Sequence, residues 1–204
     1  MMRSIVRRKY EEVSKLVKPN SRVLDVGCDD SSLKDLIKPL SYMGIDVEKK
    51  NVENLKKQGD KSFLLNLNNY RSLPTKEKFD YIFFLDVLEH VVNPKKVLND
   101  FKKLLNKDGK IIISLPNDYH FQNKIRFLFN KKLIEYPFWE YGHLHIFPIK
   151  EGKKFLEEQG FKILNIKYLA PEKPKIIPLS IKEFLANFFP NNFARVIIYE
   201  LSPN

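Results

Sequence analysis

Apolar and polar positions along the chain follow two rhythms. Seven short segments, most of them nearly continuous apolar runs, read as strands: Arg22–Val26, Tyr42–Asp46, Ser62–Leu65, Asp80–Leu85, Gly109–Leu115, Lys162–Leu169 and Arg195–Leu201. Elsewhere apolar residues recur at helical spacing; Val6, Tyr10, Val13 and Val17 predict an N-terminal helix that ends near Pro19. Ser31 or Ser32 can cap a helix that Pro39 terminates, and Asn93 with Pro94 reads as a cap plus first-turn proline. The buried stripe of that second helix is Val97, Phe101 and Leu104. Gly59 and Gly160 fall where helices should end. Continuous apolar strands separated by helices are the pattern of a parallel sheet covered on both faces.

The rhythm changes twice. After Gly160 there is no room for another long crossover, and the seventh strand follows a proline-rich link, Pro171 to Pro178, and a short Phe-rich helix around Ile181 to Phe189. Between Pro116 and Phe147 aromatic, histidine and basic residues cluster after the fifth strand. Ligands of open α/β sheets lie beyond the carboxyl ends of the strands, so this insertion is expected to cover the substrate. The expected organisation is one domain over 1–204, with an N-terminal helix (1–20), a substrate-side insertion (116–147) and a Pro/Phe-rich connection (171–190).

Two strand tips carry the first chemistry. The first strand, Val23 to Val26, breaks at Gly27, where a glycine lets backbone approach a ligand, and Asp46 closes the second, where an acid can take both hydroxyls of a ribose. A dinucleotide would need the full G-x-G-x-x-G turn for its pyrophosphate. Here Gly27 is followed by Cys28, Asp29, Asp30, Ser31 and Ser32, which would set phosphates against two adjacent carboxylates. A cofactor without phosphate and with a positive sulfonium and ammonium, S-adenosylmethionine, meets no such conflict.

These residues form part of a longer set: VLDVGC (Val23 to Cys28), GIDV (Gly44 to Val47), FDYIFFLDVLEHVVNP (Phe79 to Pro94), GKIIISLPN (Gly109 to Asn117) and GHLHIF (Gly142 to Phe147). In this order they resemble the class I S-adenosylmethionine-dependent methyltransferases, in particular the bacterial small-molecule group that includes ubiquinone-type and methionine-biosynthesis-type enzymes. The resemblance implies a Rossmann-like, doubly wound seven-stranded sheet, mostly parallel with the last strand antiparallel. It implies that Asp25 and Gly27 hold the loop for the methionine part of the cofactor, that Asp46 binds its ribose, that Asn66 stands where relatives often carry an adenine-binding Asp, and that Asp86 lies at the cofactor's amino-acid end. Many relatives continue Gly-Cys-Gly-x-Gly; this chain has Asp29 and Ser31 in place of the later glycines. Asp tolerates a left-handed backbone better than most residues, so Asp29 is expected to hold the turn.

His143 and His145 are two residues apart and share a side if extended, so either is a candidate base for a substrate hydroxyl. His90 is a third candidate, with fixing the following helix as its alternative role. A metal is not expected, because the two histidines lack a third nearby ligand in the sequence. Tyr136, Phe138, Trp139 and Tyr141 suit an apolar substrate pocket or a satellite core, and Cys28 reads as a small residue of the turn.

Composition sets the remaining bounds. One cysteine excludes an internal disulfide and fits a reducing compartment, and no apolar run approaches a membrane span, so a cytoplasmic protein is expected. A net charge of +11 suits an anionic acceptor or simply a solvated basic surface. The predicted activity is methyl transfer to an oxygen or nitrogen of a small molecule, with an anionic or sugar-containing metabolite favoured. Two alternatives stay open: a nucleic-acid methyltransferase, against which stands the lack of an N/D-P-P-Y motif, and a non-catalytic binding protein on the same fold. The Phe184, Phe188 and Phe189 cluster leaves membrane or partner contact open.

Overall fold

The computed structural model describes residues 4–132, 142–172 and 176–204. The seven apolar runs become β1 (Arg22–Val26), β2 (Ser41–Asp46), β3 (Lys61–Leu64), β4 (Phe79–Leu85), β5 (Leu105–Pro116), β6 (Phe161–Leu169) and β7 (Val196–Pro203). They form one sheet in the order β3-β2-β1-β4-β5-β7-β6. The first five are parallel, and β7 inserts antiparallel between β5 and β6, as the doubly wound expectation required. β5 starts four residues before the predicted Gly109, because Leu105 pairs with Phe79 ahead of a register shift.

Alternation along each buried strand divides the core between two helical layers. On β1, Leu24 and Val26 join the side that receives Val97, Leu98 and Phe101 of α4 (Pro94–Lys102) and Leu156 of α6 (Ile149–Glu158). Val23 joins the opposite side with Tyr10 and Val13 of α1 (Ser4–Ser14), Leu33 of α2 (Ser32–Ile37) and Leu55 of α3 (Lys49–Lys57). The Asn93 side chain accepts from Lys96 N–H at 2.9 Å, the predicted cap. At the start of α2 the outcome differs: Ser31 occupies the cap position at φ 61°, its hydroxyl makes no cap bond, and the Asp30 carboxylate accepts from Ser32 N–H instead.

Three helices lie in the two irregular stretches, and the second of them is the predicted Phe-rich helix. Inside the predicted insertion runs α5 (Phe121–Leu128), and the Pro/Phe-rich connection folds as α7 (Leu179–Phe188) followed by the single turn α8 (Pro190–Phe193). Asn117, at the end of β5, ties them together: its amide donates to the carbonyls of Pro190, Asn191 and Ala194. No helix among the described residues is long and apolar enough to cross a membrane.

Candidate active site

A cleft of about 420 Å³ opens beyond the carboxyl ends of β1, β2 and β4, lined at one end by Gly27, Asp46 and Asn66 and at the other by Asp86, His90 and Gly142. Gly27 has φ +77°, and a Cβ there would stand 2.5 Å from Val87 Cγ2. The loop therefore requires glycine twice over, for its backbone conformation and for the room it leaves. The turn continues through Asp29 at φ 43° and Ser31 at φ 61°, so two non-glycine residues hold the left-handed positions.

Asp46 is buried, and its carboxylate is already oriented: one oxygen accepts from Asp29 N–H at 2.9 Å, the other from Glu48 N–H at 2.8 Å. Two ionised oxygens have about four acceptor positions, so capacity for both hydroxyls of a ribose remains. Asp29 thus enters the site through its backbone, while its own carboxyl, raised above the ordinary value by burial and by Asp30 and Asp46, is not part of the lining. Asn66 both lines the cleft and closes an Asx turn, accepting from Asn68 N–H at 2.9 Å.

Asp25 lies on the other side of β1, under α1, where its carboxylate accepts from the Tyr42 hydroxyl. Burial pushes this acid up to about 7 despite that bond and the nearby Lys9. Cys28 is buried, and burial pushes its thiol up, which fits a packing role.

A basic residue of α1 reaches Asp86 at the edge of the cleft. Lys9, on the buried stripe of α1, donates to Asp86 Oδ2 at 2.6 Å, and the Ser114 hydroxyl of β5 donates to the other oxygen. Burial pushes Asp86 up, but the Lys9 charge and these two hydrogen bonds outweigh it and hold the carboxyl below its ordinary value. Asp86 also sits at φ 58°, a third left-handed non-glycine residue around the cleft.

Beside Asp86 the chain brings together residues far apart in sequence. His143 Nδ1 lies 2.9 Å from Asp118 Oδ2, and its ring packs edge-on against His90 at 5.1 Å. His90 Nδ1 is 3.2 Å from the Gly142 carbonyl, and burial lowers its pKa, which keeps the imidazole neutral. His143, His145 and Phe147 turn inward while Leu144 and Ile146 are exposed, as the extended reading predicts. Of the pair His143 and His145, the first meets the Asp118 carboxylate, whereas His145 lies beside Phe147 and its buried Nε2 has no hydrogen-bond partner among the described residues. Tyr136, Phe138, Trp139 and Tyr141 lie outside the described residues.

Glu89 is fully buried beneath these histidines, and neither carboxylate oxygen has a hydrogen-bond partner among the described residues. Burial, with Asp86 nearby, pushes it well above its ordinary value, which favours the neutral acid, and a neighbouring cation would favour the charged form. One ligand atom each from Glu89, His90 and His143 lies within 4.8 Å of the others. This corrects the premise that the histidines find no third ligand: Glu89 is supplied by the turn after β4, Leu88–His90. One carboxylate and two imidazoles are a competent donor set for a divalent cation.

A doubly wound sheet with an antiparallel penultimate strand, a glycine turn and a ribose-ready acid defines a nucleoside-cofactor enzyme of the methyltransferase class. The family model described as "Methyltransferase domain" matches residues 2–166, and the chain belongs to this family, within the class I S-adenosylmethionine-dependent methyltransferases. An uncharacterised protein of Methanocaldococcus jannaschii is 30% identical over 81% of this chain and 77% of its own length. A ubiquinone biosynthesis O-methyltransferase of Pelagibacter ubique is 33% identical over 48% of this chain and 43% of the relative, so the match spans less than half of that enzyme. In fold, the chain is similar to a SAM-dependent methyltransferase from Archaeoglobus fulgidus (TM-score 0.69, 16% identity, covering 100% of this chain and 95% of that one). It is also similar to magnesium protoporphyrin IX methyltransferase from Synechocystis, solved with bound SAH (TM-score 0.65, 16% identity, covering 97% and 83%).

Proposed function

We propose that this protein methylates an oxygen or nitrogen of a small, anionic or sugar-containing acceptor, with the cofactor along Gly27, Asp46 and Asn66 and the acceptor beside His143. The observation that supports this most is a cleft that joins the glycine turn and Asp46 to His90, against whose ring His143 packs. S-adenosylmethionine supplies an activated methyl group for in-line displacement, so the chain's task is alignment and exclusion of water. The Asp46 carboxylate grips the ribose hydroxyls, the Asn66 amide faces the base, and Lys9 with Asp86 flanks the charged amino-acid end. Asp118 accepts from His143 Nδ1–H, fixes that tautomer and leaves the second ring nitrogen free to take a proton from an acceptor hydroxyl. Cytoplasmic location follows the single cysteine and remains part of this proposal.

The Glu89, His90 and His143 cluster favours a second reading of the acceptor end, in which these three hold a divalent cation and supply Lewis acidity to the acceptor oxygen. Methyl transfer from labelled S-adenosylmethionine to panels of phenolic, sugar and amine acceptors, with and without chelator, tests both. Turnover that resists chelation supports the His143 base, and turnover that chelation abolishes supports the cation. Absence of cofactor binding at millimolar concentration would overturn both in favour of a non-catalytic protein. Retardation of nucleic acid that weakens with salt, accompanied by its methylation, would replace the small acceptor.

A further inference from the structure

The largest feature that methyl transfer leaves unexplained is an apolar, basic face beside the acceptor end. On α5 and just past it, Phe127, Leu128 and Phe129 are 77%, 79% and 71% exposed, values that a helix packed only on its own domain does not require. Phe121, Ile125, Leu128 and Phe129 follow helical spacing along one side, and all are exposed. The strip continues into the C-terminal elements: Phe121 stacks on Phe193 of α8 with ring centres 6.2 Å apart, and Phe188 and Phe189 stand exposed at the α7–α8 junction. The Asn117 amide, bonded to the carbonyls of Pro190 and Asn191 in α8 and of Ala194 just after it, ties the end of β5 to these elements.

Charge distinguishes the occupants that such a face can take. Residues 121–132 carry Lys124, Arg126, Lys131 and Lys132 and no acid. A second copy meeting this face about a two-fold axis would bring the same four cations against each other. A nucleic acid would satisfy the cations and leave the exposed Phe and Leu side chains in water. An anionic bilayer satisfies both: the aromatic and leucine side chains enter the headgroup boundary while lysine and arginine ammonium and guanidinium groups stay at the phosphates.

We propose that α5 and the α7–α8 junction dock this protein on an anionic lipid surface. Asp118, on the link from β5 to α5, is the residue that orients His143, so docking sets the acceptor end of the cleft beside the lipid. The acceptor class that fits is an amphiphile carried in the membrane; this last step rests on the methyl-transfer reading, whereas docking itself does not.

The test is co-sedimentation of the full chain, without cofactor or acceptor, with phosphatidylcholine vesicles that contain about one-third phosphatidylglycerol or none. The expected result is binding to the anionic vesicles alone, weakening as salt rises. F127S/L128S/F129S and, separately, K131E/K132E should each lower the partition coefficient about tenfold or more. S-adenosylhomocysteine affinity should be unchanged in both variants, which shows that they fold. Failure of the wild type to bind anionic vesicles at low salt, or binding that both variants retain, would overturn the proposal. Light scattering that shows a dimer dissociated by F127S/L128S/F129S would overturn it in favour of self-association. None of these failures touches the methyl-transfer reading, which is judged by cofactor binding and turnover.

Discussion

Asp46, at the end of β2, and Glu89, in the turn that follows β4, are both buried carboxylic acids, yet their surroundings are opposite. Each Asp46 oxygen accepts a backbone N–H, so the charge is compensated in place and directed toward a ligand. Neither Glu89 oxygen has a hydrogen-bond partner among the described residues, His90 Nε2 standing 3.9 Å from Oε1, and burial of this acid favours the proton. The proposed cofactor end is thus built in advance from backbone geometry, while the proposed acceptor end keeps an acid whose state depends on what joins it. A charged group desolvated without partners is costly, whereas a neutral one costs only its unmade hydrogen bonds.

The strongest way to break this contrast is to disturb the turn on which the cofactor end rests. Gly27→Ala sets a methyl group 2.5 Å from Val87 Cγ2 at a φ of +77°, so calorimetry should show S-adenosylhomocysteine affinity reduced about 100-fold or more. At the acceptor end, His143→Ala should lower kcat about 100-fold with cofactor affinity nearly unchanged. Asp118→Asn should lower kcat about tenfold and shift the pH–rate profile, since the amide lacks the negative charge that holds the Nδ1–H tautomer and can turn its NH2 toward the ring instead. Equal losses in cofactor affinity would mean that these residues serve the cofactor end.

Glu89→Gln sharpens the comparison through pH. Folded Glu89 holds its proton above the ordinary value of 4.5, where the unfolded chain releases it, so its contribution lowers stability as pH rises through that window. The neutral amide should raise stability at pH 8 by about 1–3 kcal/mol and flatten the pH dependence, read from denaturant midpoints. A destabilised variant would favour the cation reading. The smallest effect belongs to Asn66→Ala, which removes a hydrogen bond at an exposed lip of the cleft and should weaken cofactor binding about fivefold.

The two ends also differ in how far they could be read from residues alone. Gly27 and Asp46 terminate continuous apolar strands, so strand periodicity located them, and β1 begins and ends where its apolar run does. Glu89, Asp118 and His143 are carried by a short turn, a link and an extended segment without periodicity, and only the fold brings them together. The contact of Lys9 with Asp86 was not legible, because Lys9 belongs by sequence to a run of N-terminal basic residues and only the fold turns its ammonium inward to the carboxylate. Asp29 was legible as a left-handed turn residue, but its contribution is the backbone N–H to Asp46, which side-chain chemistry does not reveal. α5 escaped notice as a separate helix because its apolar side points away from the core.

Titration of the protein and of Asp46→Ala with S-adenosylhomocysteine by calorimetry reaches the central claim most directly. The account predicts saturable one-to-one binding by the native chain and at least about a 30-fold loss on removal of the carboxylate, the scale of one or two charge-assisted hydrogen bonds. Equal affinity in both proteins, or no binding by either, would contradict it.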